Sequence, residues 1–177
     1  MKKILSLLLI IVMLTGCGKR TPKEEVEAYL KQYRNLSSEV LVDLESTIEM
    51  ENLSNKQQDK YRNVLKKQYK DLNYEITKEE FKNDVAYVTA KIEVYDLYRA
   101  QKDASLYLQN NLDEFNDETG VYDVNKYLNY KLERMQMVTD RVEYIITFTV
   151  IKEDGEYVVS QPTEIDLQKI HGIYNYD

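Results

Sequence analysis

The sequence holds one cysteine, one histidine, two prolines, five glycines and no tryptophan in 177 residues. Each scarcity removes a class of chemistry. A single cysteine excludes a disulfide framework within the chain, and the lack of Cys and His pairs excludes a zinc pattern. A nucleophilic triad needs an imidazole that accepts a proton near neutral pH, and His171 is the sole candidate. It falls in the last turn of the final helical stretch, where a cationic or dipolar group is favourable in its own right. That structural role outweighs a catalytic one. After Gly18 the glycines are Gly120, Gly155 and Gly172, each at a turn or cap position, so no phosphate-cradling loop is present. No cofactor and no metal are expected.

Basic residues are also in the minority, with 24 Lys and Arg against 31 Asp and Glu. Nucleic acid demands clustered Lys and Arg on one face, so it is excluded as a partner. Peripheral binding to anionic lipid headgroups is disfavoured for the same reason. Tyrosine is the residue in excess, at 16. It suits half-buried sheet surfaces and binding surfaces alike.

The N-terminus "MKKILSLLLIIVMLTGCGKR" has the layout of a secretory signal: Lys2 and Lys3, an apolar run from Ile4 to Leu14, then small residues. Ile4 to Gly16 is 13 residues, whereas a spanning helix needs roughly 20. Leu14-Thr15-Gly16-Cys17 resembles the lipobox of bacterial lipoproteins. That resemblance implies that the Cys17 thiol receives a diacylglycerol group, and that cleavage then makes Cys17 the first residue. The chemistry suits a thiolate nucleophile, and two acyl chains make a stable anchor where one is marginal. Residues 1–16 are therefore expected to be a lipoprotein signal peptide and residues 17–20 a lipid-anchored tether. The protein is expected at the cell membrane, on its extracytoplasmic face. Losing Lys2 and Lys3, with no acid among residues 1–16, takes the net charge from −7 to −9. The remaining residues suffice for one domain, 21–177, and not comfortably for two.

The pattern along that domain begins with helices. Thr21-Pro22-Lys23-Glu24 reads as a capping box with Pro at the first helical position, followed by the stripe Val26, Tyr29, Leu30, Tyr33. Ser37 or Ser38 opens a second helix, with Val40, Leu41, Leu44 and Ile48 facing inward. Ser54 opens a third, carrying Tyr61, Val64, Leu65 and Gln68 or Tyr69. The period then falls to two. Leu72, Tyr74 and Ile76 lead to a turn at Lys82-Asn83-Asp84, and Ala86, Val88, Ala90, Ile92 and Val94 form one face of a long strand. Residues from 99 onward are expected to be helical through Ala100, Ala104, Tyr107 and Leu108, then a polar loop. Asp123 caps a helix with Val124, Tyr127, Leu128, Lys131, Leu132 and Met135 on one stripe. A second long strand presents Val142, Tyr144, Ile146, Phe148 and Val150, and Asp154-Gly155 is a hairpin signal. A last helix from Thr163 is stopped by Gly172.

The acidic segment "NNLDEFNDETGVYD" was tested against the calcium loop of EF-hands. Starting at Asp113, position three is Phe115 and position six is Glu118, so the pattern fails and a solvated loop is expected.

Helices followed by two hairpins with a helical insertion predict an α+β fold, with helices packed on one face of a curved antiparallel sheet. The stretches "TPKEEVEAYLKQY", "NDVAYVTAKIEVYD" and "DRVEYIITFTVIKEDGEYVVS" resemble the nuclear transport factor 2-like, or cystatin-like, cone of secreted bacterial lipoproteins. The chain is similar to small Firmicute lipoproteins built this way. Members of that superfamily include enzymes with an acid in a pocket under the sheet, so Met135, Tyr144 and Phe148 are candidate pocket residues. They sit on the faces the core requires, and no acid interrupts either apolar strand face, which lowers the enzyme reading. On the opposite face Tyr87, Tyr95, Ile145 and Ile151 form a candidate interaction face. The leading expectation is a lipid-anchored binding or interaction domain for a small ligand or an envelope protein. The alternatives are a cone-fold isomerase or hydratase, and an assembly protein that forms a homodimer through its sheet. The last helix, through Leu167 and Ile170, is the competing cover for the sheet face.

Overall fold

The computed structural model describes residues 19–177. The expectations placed on residues 1–18, including Cys17, lie outside the described residues. Three helices come first: α1 (Pro22–Asn35), α2 (Ser38–Glu49) and α3 (Asn55–Lys70). The strands β1 (Asn73–Lys82) and β2 (Val85–Tyr95) follow, then α4 (Leu97–Asn110), a 3-10 turn (Leu112–Phe115) and α5 (Val124–Gln136). The chain closes with β3 (Arg141–Glu153), β4 (Glu156–Val159) and α6 (Glu164–His171).

Local signals explain the helix starts. The Thr21 and Glu24 capping box is formed, with the Thr21 N–H donating to Glu24 at 2.7 Å. Ser37 caps α2 through Val40 N–H, and Thr163 with Asp166 caps α6. Each cap satisfies backbone donors that have no partner within the helix.

The sheet is a curved, unclosed antiparallel meander in the order β1-β2-β3-β4. Both of its hairpins close with two-residue turns, Asn83-Asp84 and Asp154-Gly155. Asp154 and Gly155 both have positive φ, +49° and +82°, the geometry of the hairpin turn whose twist matches right-twisted strands. Opposite Ala86 stands Val150, opposite Ile92 stands Tyr144, and opposite Tyr95 stands Arg141. This register lines up the two apolar faces, because side chains alternate across a strand with period two.

The inner face packs against the helices. Ala86, Val88, Ala90, Ile92 and Val94 have no exposed surface. Tyr144, Ile146, Phe148 and Val150 join them in one cluster with Val26, Leu30, Leu44, Leu65 and Tyr69. α1 lies against all four strands, and α3 packs on α1, α2, α5 and α6. The architecture is α+β with helices on one face of the sheet. α6 belongs to the same side: Ile170 is fully buried in that cluster, and the helix packs on α3 and β2. It therefore does not fold over the outer face.

Two buried polar side chains tie elements together. Gln68 acts as a stand-in strand at the end of β2, accepting from Tyr95 N–H at 2.9 Å and donating to its carbonyl at 3.2 Å. Gln57 Oε1 accepts from Ser54 N–H at the start of α3, and its amide reaches Asn125 on α5. Among the described residues these are the only polar or charged side chains in the buried set.

Candidate functional site

Met135, Tyr144 and Phe148 lie within the core and do not share a cleft. Phe148 packs on Tyr29, with ring centroids 5.7 Å apart, and Tyr144 packs edge-on against Tyr174 at 5.7 Å. Met135 borders a cleft elsewhere, with Val64, Lys67, Tyr95 and Leu97. Tyr144 is the one unusual member. Its buried hydroxyl has no partner, and burial holds its pKa above the ordinary phenol value. No carboxylate appears in the buried set of the described residues. Among the same residues, no group of three or more His, Cys, Asp or Glu is placed to hold a metal.

His171 is the last residue of α6, the position where a cationic or dipolar group is expected. Its ring packs on Tyr69, 5.6 Å between centroids, and burial lowers its pKa to about 4. The neutral form is the one that fits. The position makes sense through Gly172, whose φ of +71° closes α6. A Cβ there would collide with the Gln68 amide and the Tyr95 carbonyl, so the chain passes close against the end of β2.

The register places Tyr87, Tyr95, Ile145 and Ile151 on the outer sheet face, opposite the buried one. Most of that face is bound to itself. Thr89 and Thr147 share a hydroxyl hydrogen bond of 3.1 Å, Lys91 pairs with Glu143 at 3.0 Å, and Arg141 pairs with Glu93 at 3.3 Å. Tyr95 is held by its surroundings. Lys67 sits 3.4 Å from its ring centroid, Arg141 lies 4.7 Å away, and its hydroxyl donates to Asp71 at 2.9 Å. That hydrogen bond, with Lys67 beside it, holds the Asp71 carboxyl below its usual pKa. Tyr87 and Ile151 are half-buried, and Ile145 is 55% exposed.

The helical insertion carries what the sequence reading passed over. α4 and α5 run antiparallel, joined through Ser105 to Tyr127 (2.9 Å) and a Tyr107–Tyr130 stack at 5.0 Å. Phe115 is buried between Tyr107, Tyr127 and Tyr130 in a small aromatic core apart from the main cluster. Two acids of this segment fix its turn and the start of α5. Asp117 accepts from the Thr119 hydroxyl and N–H and from Val121 N–H, which lowers its pKa, while Asp123 caps α5. Outside this frame, Leu112, Val121 and Val124 are 53, 62 and 50% exposed, with Leu106 and Tyr122 beside them in the chain. Val124 therefore leaves the buried stripe expected for it. The available signal was the apolar residues scattered through an acidic loop.

A third feature is a polar cleft of about 210 Å³ between the start of α4 and the end of α5, lined by Asp96, Arg99, Asp103, Arg134 and Asp140. Two of its three acids are already engaged. Asp96 caps α4 and accepts from the Tyr176 hydroxyl at 2.7 Å, and Asp103 pairs with Arg99 at 3.1 Å.

Comparison with known proteins adds the other end of the chain. Residues 1–17 match the family described as the prokaryotic membrane lipoprotein lipid attachment site. The match ends on Cys17 and supports a bacterial lipoprotein anchored at the membrane through that lipidated cysteine. No curated protein and no solved structure matches the chain. Among the described residues, no helix is long and apolar enough to cross a membrane.

Proposed function

We propose that this lipoprotein is a binding domain, 21–177, displayed on the extracytoplasmic face of the membrane, and that it engages an envelope protein through the outer end of its α4–α5 insertion. The observation that carries this reading is the set of exposed apolar side chains there, Leu106, Leu112, Val121, Tyr122 and Val124, around a separately packed aromatic core. Exposed apolar groups cluster at protein-binding sites, and a rigid frame lowers the ordering cost of binding. The filled interior beneath the sheet favours a protein partner over a small molecule in a cone. We also read the architecture as the nuclear transport factor 2-like cone and the chain as one of the small Firmicute lipoproteins.

A photo-crosslinking residue at Val121 or Leu112 of the anchored protein in cells should give one discrete adduct, and the same residue at Thr147 should give none. An adduct at Thr147 with none at the insertion would overturn the assignment. A second reading, a homodimer through the sheet, is favoured by Ile145 alone, the most exposed apolar residue of β3. Light scattering on the soluble fragment, with and without Ile145→Lys plus Ile151→Lys, tests it; a monomer at all concentrations removes that reading.

A further inference from the structure

The strands end together on the side where the chain enters the fold. The register pairs Lys82 with Val85 and Glu153 with Glu156, so both hairpin turns project from the same end of the sheet. α1 starts at that end. Its Lys23 N–H donates to Glu79 of β1 at 3.1 Å, and the Lys19 ammonium donates to the Gly155 carbonyl at 2.9 Å. Glu79 and Phe81 face the same side as Val88 and Ala86 opposite them. The helix begins over Glu79 and reaches no further; this end of β1 has no buried residue, and Phe81 is left 58% exposed on the helix-facing side of the sheet.

Cys17 lies two residues before Lys19, and consecutive Cα atoms are about 3.8 Å apart, so the lipid-bearing residue lies within roughly 8 Å of the Lys19 Cα. The opposite end of β2 is 11 residues away, roughly 35 Å at 3.3–3.4 Å per residue. So short a tether cannot present the two ends of the sheet to the bilayer equally.

We propose that the hairpin end of the sheet is a membrane-contact surface, with Phe81 and the turns Asn83-Asp84 and Asp154-Gly155 resting on the lipid surface that holds Cys17. The occupant is the phospholipid interface itself. An exposed Phe side chain can bury at the headgroup and acyl boundary. Asp84, Glu153, Asp154 and Glu156 outnumber Lys19, Lys82 and Lys152 at this end, so the contact does not depend on anionic headgroups. The Asp96, Tyr95 and α4 end then points away from the membrane. This orientation rests on the lipid-anchored reading given above.

The test uses the acylated full chain reconstituted in phosphatidylcholine vesicles, with and without phosphatidylglycerol. Acylated Cys17 has no free thiol, so a single introduced cysteine carries a nitroxide: Phe81→Cys or Asp84→Cys at the contact end, Thr139→Cys at the far end. Collision with lipid-soluble oxygen, relative to a water-soluble nickel complex, should be several-fold higher at 81 and 84 than at 139 in both vesicle types. A long Gly-Ser insertion after Gly18 should erase most of that difference. Equal ratios at the two ends, or a higher ratio at 139, would overturn the orientation while leaving the anchor intact. Failure of the unlabelled chain to float with vesicles would instead overturn the anchor, and this surface with it.

Discussion

The sheet body and the α4–α5 insertion treat apolar side chains in opposite ways. In the body, alternate residues of β2 are sealed from solvent, and the outer face is closed by cross-strand pairs such as Lys91–Glu143. In the insertion, Phe115 is sealed by tyrosines, yet Val121 and Leu112 stand out in water. Cross-strand pairing and helix packing stabilise the body. The insertion needs only its small aromatic core to hold its shape, so its outer apolar residues contribute little to folding. The difference separates apolar residues that the fold buries from apolar residues that it leaves in water.

Substitutions should divide along that line. The largest effect is expected at Ile92, buried opposite Tyr144. Ile92→Ala should destabilise by about 3–4 kcal/mol, through lost burial plus a cavity, read as a lower urea midpoint at unchanged slope.

His171 comes next. Its folded pKa is about 4 against an ordinary 6.5, so the unfolded chain takes up its proton first as pH falls. Its contribution is intact above pH 6.5 and is lost progressively down to about pH 4, up to about 3 kcal/mol. Between pH 7 and 5, the wild-type stability should fall more steeply than that of His171→Gln. Parallel curves would show that the imidazole is not buried against Tyr69.

Gly155→Val should cost about 1–3 kcal/mol, because a β-branched residue resists positive φ. Among the described residues the only close neighbour of an added Cβ is the flexible end of Lys19, so the loss would be backbone strain rather than crowding. The smallest effect is expected at the insertion: Val121→Ser plus Val124→Ser should stay within about 0.5 kcal/mol of wild type, as for ordinary surface positions. A loss as large as that at Ile92 would show that the insertion's exterior packs against something within the chain.

Much of the body was legible in the sequence. Thr21, Ser37 and Thr163 are local capping signals, the period-two faces of β2 and β3 need only alternation, and Asp154-Gly155 names its own turn. The unread parts depend on where elements stop relative to one another. Phe81 sits on the helix-facing side of β1, and it is exposed because α1 begins over Glu79 and leaves the end of the strand uncovered. Phe115 is buried only because three tyrosines from two helices converge on it. Gln68 looked like a polar residue on an apolar stripe, yet it completes the hydrogen bonding of Tyr95. The tyrosine excess resolves in the same way: Tyr29, Tyr33 and Tyr69 stack in the main core, while Tyr107, Tyr127 and Tyr130 build the second one. The sequence places His171 at a helix end, and only the folded chain shows that burial, with Tyr69 as one neighbour, lowers its pKa.

Display at the membrane surface depends on the anchor at Cys17. The most direct measurement is the intact mass and N-terminal peptide of the protein extracted from bacterial membranes. The account predicts a chain beginning at Cys17, with diacylglycerol in thioether linkage to its sulfur. A soluble product, or one beginning at any other residue with an unmodified Cys17, would contradict it.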